Sequence, residues 1–182
     1  HGYFAGGPSR VNEGVAHLVF DLRILLDWLA AERGVEAAGV TGISLGGLTS
    51  SLMAVAEPRL SFAIPNVPAV SLADLMLEWP PMGLLTRAMM RSEGFTIREA
   101  RKLVAVSSPL SYRPAIPRER LMIVGGVGDR LCPPKHSRLL WDHWGRCRIH
   151  WFPGSHVLHL DRGDYLKEMA RFMVGIGFME PT

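Results

Sequence analysis

Thr41-Gly42-Ile43-Ser44-Leu45-Gly46-Gly47 decides how the rest of the chain is read, because it places one serine among glycines where two differently patterned segments meet. Upstream, Ala37 to Ile43 is a run of small and β-branched residues bounded by Gly34 and Gly46, the pattern of a buried strand. Downstream, Leu45 to Ala56 has helical composition and stops before Pro58. A serine held on a tight strand-to-helix turn needs neighbours without bulky side chains, since the backbone there passes close to the adjoining elements. Gly42 and Gly46 meet that need, and Gly47 adds room. The helix would aim unpaired N–H groups and the positive end of its dipole at negative charge developing above Ser44, with Leu45 N–H the one donor that can be named. The same residues also admit a simpler reading, a serine that caps a helix in a glycine-rich turn.

Working outward, Val15, Leu18, Val19, Leu22, Leu25, Leu26 and Leu29 recur at three- and four-residue spacing between Asn12, a plausible N-cap, and Gly34. They predict one long amphipathic helix. Residues 1–11, rich in Gly, Pro and Ser, read as a loop. On the other side, Ser61 to Ile64 is a second short strand, ended by Pro65-Asn66-Val67-Pro68. Residues 69–118 read as a Met-rich helical insert, in which Thr96 and Glu99 have the spacing of a capping box. Leu121 to Val124 is a third strand, followed by the turn Gly125-Gly126-Val127-Gly128-Asp129. Pro134 to Trp144 reads as a helix, Arg148 to Phe152 as a fourth strand, and Asp161 to Phe172 as a last helix. Strands alternating with helices require crossover connections, so the expected class is α/β with a mostly parallel sheet flanked by helices.

Composition bounds the rest. The chain has 182 residues, 48% hydrophobic and 20% charged, which suits one folded domain over 1–182 and rules out a disordered chain. The net charge of +3 comes from dispersed basic residues, so a nucleic-acid surface is not expected. The longest apolar stretch, Val15 to Ala31, is interrupted by Asp21, Arg23 and Asp27, so no membrane span is expected. Two cysteines, Cys132 and Cys147, build neither a disulfide framework nor, with His136 and His143, a zinc site of familiar spacing. No metal or other cofactor is expected. A reducing compartment follows, and with no targeting signal visible the expected localisation is cytoplasmic.

A serine hydroxyl is a weak nucleophile near neutral pH, and it becomes useful when a histidine oriented by a carboxylate takes its proton. In a parallel sheet such groups gather in the loops after the strands. His156, in Pro153-Gly154-Ser155-His156, directly follows the last predicted strand, and His159 is the runner-up. His17, His136 and His143 fall on helices and read as ordinary surface or half-buried residues. Asp129 ends the turn after the third strand, while the loop after the second offers no acid before Asp74. Asp129 as a simple helix cap and His156 as a solvated loop residue are the competing readings.

The order Ser44, Asp129, His156 is that of the α/β-hydrolases, and the sequence resembles that superfamily along essentially its whole length. The resemblance rests on TGISLGG, VGGVGDRLCPP and FPGSHVLHL. It implies Ser44 as nucleophile, His156 as base and then acid, Asp129 as orienting carboxylate, and residues 69–118 as a helical cap. HGYFAGG followed by the long helix is also similar to the alpha/beta hydrolase domain-containing protein 18 group. The implied activity is that of a serine hydrolase acting on an ester or related acyl bond of a small-molecule, apolar substrate. Two rival readings remain: a non-catalytic ligand-binding relative, and an inactive fragment of a larger hydrolase. Only 43 residues precede Ser44, where the superfamily places four strands before the helix that leads into the elbow, so the N-terminal strands are expected to be absent. His1-Gly2 then reads as a loop rather than as the superfamily's oxyanion dipeptide. A half-sheet would expose an edge, and self-association through it is expected.

Overall fold

The computed structural model describes residues 7–160 and 162–181, so the HGYFAG opening lies outside the described residues. Four strands form one parallel sheet in sequential order, β1 (Gly39–Ile43), β2 (Phe62–Asn66), β3 (Met122–Gly126) and β4 (Arg148–Phe152). Helix α1 (Gly7–Arg33) precedes β1, α2 (Leu45–Ala56) joins β1 to β2, and α6 (Pro134–His143) joins β3 to β4. Between β2 and β3 run α3 (Leu72–Glu78), α4 (Met82–Ser92), α5 (Ile97–Leu103) and three short 3₁₀ turns. Helix α7 (Arg162–Gly175) follows β4. The expected α/β class is therefore the observed one.

Alternation along the inner strands divides the core into two faces. Phe62, Ile64, Met122 and Val124 pack with Phe152 and with Tyr165 and Phe172 of α7. Ala63, Leu121 and Ile123 pack with Leu140 and Trp144 on the α6 side. Phe62 meets the rings of Phe172 and Phe178 edge-on, at 6.4 and 4.8 Å between centroids. Each such buried aromatic contributes about 1.5–3 kcal/mol.

Three local expectations change. Asn12 does not cap α1, which begins at Gly7; its amide instead donates to Leu103 C=O (2.7 Å) and accepts from the Ser107 hydroxyl (2.7 Å). A tertiary contact to the 103–107 segment has taken the side chain that local pattern assigned to a helix start. β1 is not a buried strand: it lies at the sheet edge, and its residues alternate between exposed and half-buried. β2 continues through Pro65 rather than ending before it. Pro65 has no N–H to give toward β3, and the β2–β3 ladder is interrupted there, with a bridge at Ala63–Leu121 and pairing at Asn66–Val124. It resumes through Val67 N–H to Val124 C=O at 2.8 Å.

Glu57, whose side chain is 1% exposed, ties α1 to the end of α2 through Arg23 (3.2 Å) and Arg59 (2.7 Å), and Arg59 continues to Asp27 at 2.7 Å. The Arg59 guanidinium, above all, holds the Glu57 carboxyl at about 2, against an ordinary value of 4.5. A carboxyl lowered on folding stabilises fully above its unfolded value, and that contribution is lost as pH falls through the folded one. Glu57→Gln is therefore expected to flatten the fall of Tm between pH 4.5 and about 2. At neutral pH its cost should be on the order of 2 kcal/mol, reduced because both guanidiniums stay half in solvent. Calorimetric scans across that pH range check both statements; parallel curves for the two proteins would refute the first.

Candidate active site

The serine comes first because the backbone at its position is unusual. Ser44 has φ 60° and ψ −112°, a left-handed conformation that L-residues avoid, at the junction of β1 and α2. Its N–H donates to Asn66 C=O (3.0 Å) and its C=O accepts from Leu48 N–H (2.9 Å), so the turn is held from both neighbouring elements. Ser44 occupies the N-cap position of α2, yet its hydroxyl makes no capping bond. Leu45 and Gly46 open the helix, where amides lack intrahelical acceptors.

The glycines differ in what they do. A Cβ on Gly42 would lie 2.6 Å from the Gly46 backbone, and one on Gly47 would lie 2.6 Å from Asn66 O and 2.9 Å from Pro68 Cα. A Cβ on Gly46 would meet nothing within 4 Å. Gly46 is thus the surface that Gly42 approaches rather than a residue confined on its own account, which revises the equal need expected of the pair. Gly42→Ala is expected to cost about 2 kcal/mol through overpacking, whereas Gly46→Ala should be neutral or stabilise by up to about 1 kcal/mol as a better helix former. Urea titration of the two variants tests this, and equal destabilisation would refute it.

Asp129 and His156 meet. Asp129 Oδ2 lies 2.7 Å from His156 Nδ1, and Asp129 Oδ1 accepts from the N–H groups of Leu131 and Cys132, both at 2.8 Å. The carboxylate is fully buried and the imidazole 13% exposed. Two loops must touch to bring them together. Val127 N–H donates to Phe152 C=O (3.1 Å) and Gly128 N–H to Gly154 C=O (2.8 Å), and a Cβ on Gly128 would come 2.7 Å from that same oxygen. Asp129 does not serve simply as a helix cap.

His159, the runner-up for the base, does not reach Asp129. Its Nε2 lies 3.1 Å from the His156 carbonyl, its Nδ1 3.3 Å from the Tyr165 hydroxyl, and its ring 4.5 Å from that of Phe152. It supports the loop on which His156 stands. No hydrogen bond between the described residues joins the Ser44 hydroxyl to His156. Beside Ser44 instead is the buried thiol of Cys132, pushed up to about 12 by burial and by the Asp129 charge, with the Ser44 hydroxyl opposing. His136, expected at the surface or half-buried, is fully buried, and neither of its ring nitrogens has a hydrogen-bond partner. Desolvation holds it below its ordinary value. Pattern along α6 could not reveal this, because its covering residue, Glu78, is far away in sequence.

Parallel strands bring the three groups to one edge of the sheet. Ser44 directly follows β1, Asp129 stands three residues after β3, and His156 four residues after β4. A parallel four-stranded sheet flanked by helices, with a left-handed serine at the first strand-to-helix turn, is a known arrangement. The chain has the α/β-hydrolase fold. Residues 14–77 match the family described as alpha/beta hydrolase domain containing 18. Two Mycobacterium tuberculosis proteins, the uncharacterized proteins MT2702 and Rv2627c, are 36% identical over 145 residues, covering 79% of this chain and 34% of theirs. The chain therefore spans about a third of the length of the curated relatives it matches. Among solved α/β-hydrolase structures, an acetyl xylan esterase from Paenibacillus sp. R4 superposes with TM-score 0.67 at 15% identity, covering 96% of this chain and 57% of that one. The Pyrococcus furiosus esterase PF2001 superposes with TM-score 0.57 at 14% identity, covering 86% and 61%. Within this α/β-hydrolase fold, no group of three or more His, Cys, Asp or Glu side chains among the described residues converges as a metal site would require. No helix of the described residues is long and apolar enough to cross a membrane.

Proposed function

We propose that the protein is a serine hydrolase that cleaves an ester or related acyl bond through Ser44, His156 and Asp129. The observation that carries this reading is the buried Asp129–His156 pair at 2.7 Å, on the same sheet edge as a serine held at φ 60°. Ser44 Oγ attacks the carbonyl carbon while His156 Nε2 takes its proton, and Asp129 keeps the other ring nitrogen protonated and stabilises the imidazolium. Leu45 N–H, at the positive end of α2, donates to the oxyanion. Collapse expels the alcohol, which receives the proton from His156. Water then attacks the acyl-enzyme, giving its proton to His156, and collapse breaks the bond to Ser44 Oγ, which takes that proton back as the carboxylic acid leaves.

Attack needs Ser44 and His156 to approach, and catalytic hydrogen bonds of this kind commonly tighten only around bound substrate. The exposed Leu84, Leu85 and Met89 of α4 support an apolar acyl group, with the helices between β2 and β3 acting as the cap. Two free, buried thiols support a reducing, cytoplasmic setting. The exposed edge of β1 supports self-association. The Ser44 hydroxyl, set against the Cys132 thiol rather than hydrogen-bonded to His156, favours one other reading, a ligand-binding relative that performs no chemistry.

A fluorophosphonate probe separates the two readings, because it needs an activated serine. The hydrolase reading expects stoichiometric labelling at Ser44, located by peptide mass, together with a burst of p-nitrophenol from p-nitrophenyl butyrate. Folded protein that stays unlabelled would overturn it.

A further inference from the structure

Resting on that reading of the three residues, we propose that Trp79 is a positioning residue for Asp129, acting through the turn whose amides hold the carboxylate. Trp79 follows α3, in the segment between β2 and β3, and its indole N–H donates to Leu131 C=O at 2.7 Å across 52 positions of sequence. Leu131 is one of the two residues whose N–H groups grip Asp129 Oδ1. A single peptide segment therefore receives a bond from the indole on one side and gives one to the carboxylate on the other.

The neighbouring residue strengthens the clamp. Glu78 pairs with Lys135 and brings Oε2 to 3.5 Å from His136 Nε2, both on the first turn of α6. Trp79 holds residue 131 and Glu78 holds residue 135, so consecutive positions at the end of α3 fix both ends of the stretch that presents the Leu131 and Cys132 amides. Oδ2 is left to His156 alone. If the stretch loosened, Asp129 would swing about its remaining bond, and the imidazole it orients would turn away from Ser44. An error of about 1 Å in such a group is costly to rate. The helical segment thus does more than cover the site, because it sets the direction of the carboxylate beneath it.

The test uses Trp79→Phe and replacement of Trp79 by 3-benzothienylalanine, which keeps the bicyclic shape and removes only the N–H. Three quantities are read: the fluorophosphonate labelling rate, Tm, and the downfield proton resonance of the His156 Nδ1–H···Asp129 bond. Both variants are expected to label about tenfold more slowly, the equivalent of one lost hydrogen bond, with the resonance shifted or broadened. In an Asp129→Asn background Trp79→Phe should change the rate less than twofold, since the group it positions is already compromised. Wild-type rate and resonance in the benzothienyl variant would overturn the proposal, as would equal slowing in both backgrounds, the mark of a packing role. Should Trp79→Phe fail to fold, the benzothienyl variant decides. Wild-type protein that never labels, with a resonance that still responds to Trp79, would refute the hydrolase reading and leave the positioning role standing.

Discussion

Ser44→Ala is expected to lower ester turnover by roughly 100,000-fold or more and to abolish fluorophosphonate labelling, while leaving the fold intact. The size of the effect follows from the proposed covalent step, for which no other group among the described residues is placed. The thiol of Cys132 is adjacent but pushed up to about 12, so it stays protonated and is a poor substitute. Stability separates the serine's chemistry from its backbone. Alanine keeps the strain of φ 60°, whereas Ser44→Gly relieves it and should raise stability by about 1 kcal/mol while being equally inactive. Initial rates with p-nitrophenyl butyrate and thermal melts of both variants make the comparison. Activity within tenfold of wild type in either variant would remove Ser44 from the mechanism.

Asp129→Asn should cost about 10,000-fold in turnover, with little loss of stability. The asparagine carbonyl oxygen can still accept from the amides of Leu131 and Cys132, which leaves its NH₂ facing His156 Nδ1. The imidazole must then present a lone pair at Nδ1 and a proton at Nε2, and a protonated Nε2 cannot accept the serine proton. Asp129→Ala should be comparably inactive but also less stable by about 2 kcal/mol, because two buried amides lose their acceptor. Single-turnover acylation rates and urea midpoints distinguish the variants. Equal stability for Asn and Ala would contradict the carboxylate's double role.

The placement of the three candidate residues could be read from the chain because all three sit at strand ends, and strand ends are marked by local pattern. Ser44 lies where a run of small and β-branched residues gives way to helix, and Asp129 and His156 lie a few residues past two short strand-like segments. The long-range side-chain contacts around the site were not legible, since each spans a long sequence separation. Asn12 reaching Leu103, Trp79 reaching Leu131 and Glu78 covering His136 have no periodicity to announce them. Pro65 misled in the opposite direction: proline argues for the end of a strand, yet here one missing donor is tolerated inside β2 because Val67 restores the pairing two residues later. The edge position of β1 was likewise hidden, because its small apolar residues read the same whether neighbours flank it on one side or on two.

Sequential strand order has a mechanical consequence. Ser44 is carried by one outer strand and His156 by the other, with β2 and β3 between them, so about 14 Å of sheet separates the strands that bear the two residues. A few degrees more twist between the inner strands would shift the two outer loops relative to each other. Slow breathing of β2 against β3, whose pairing Pro65 already thins, would then modulate the gap between Ser44 and His156 while the Asp129–His156 pair rides unchanged on β3 and β4. Amide exchange at Val67, whose N–H bridges that thinned seam, is the place where such breathing would be recorded.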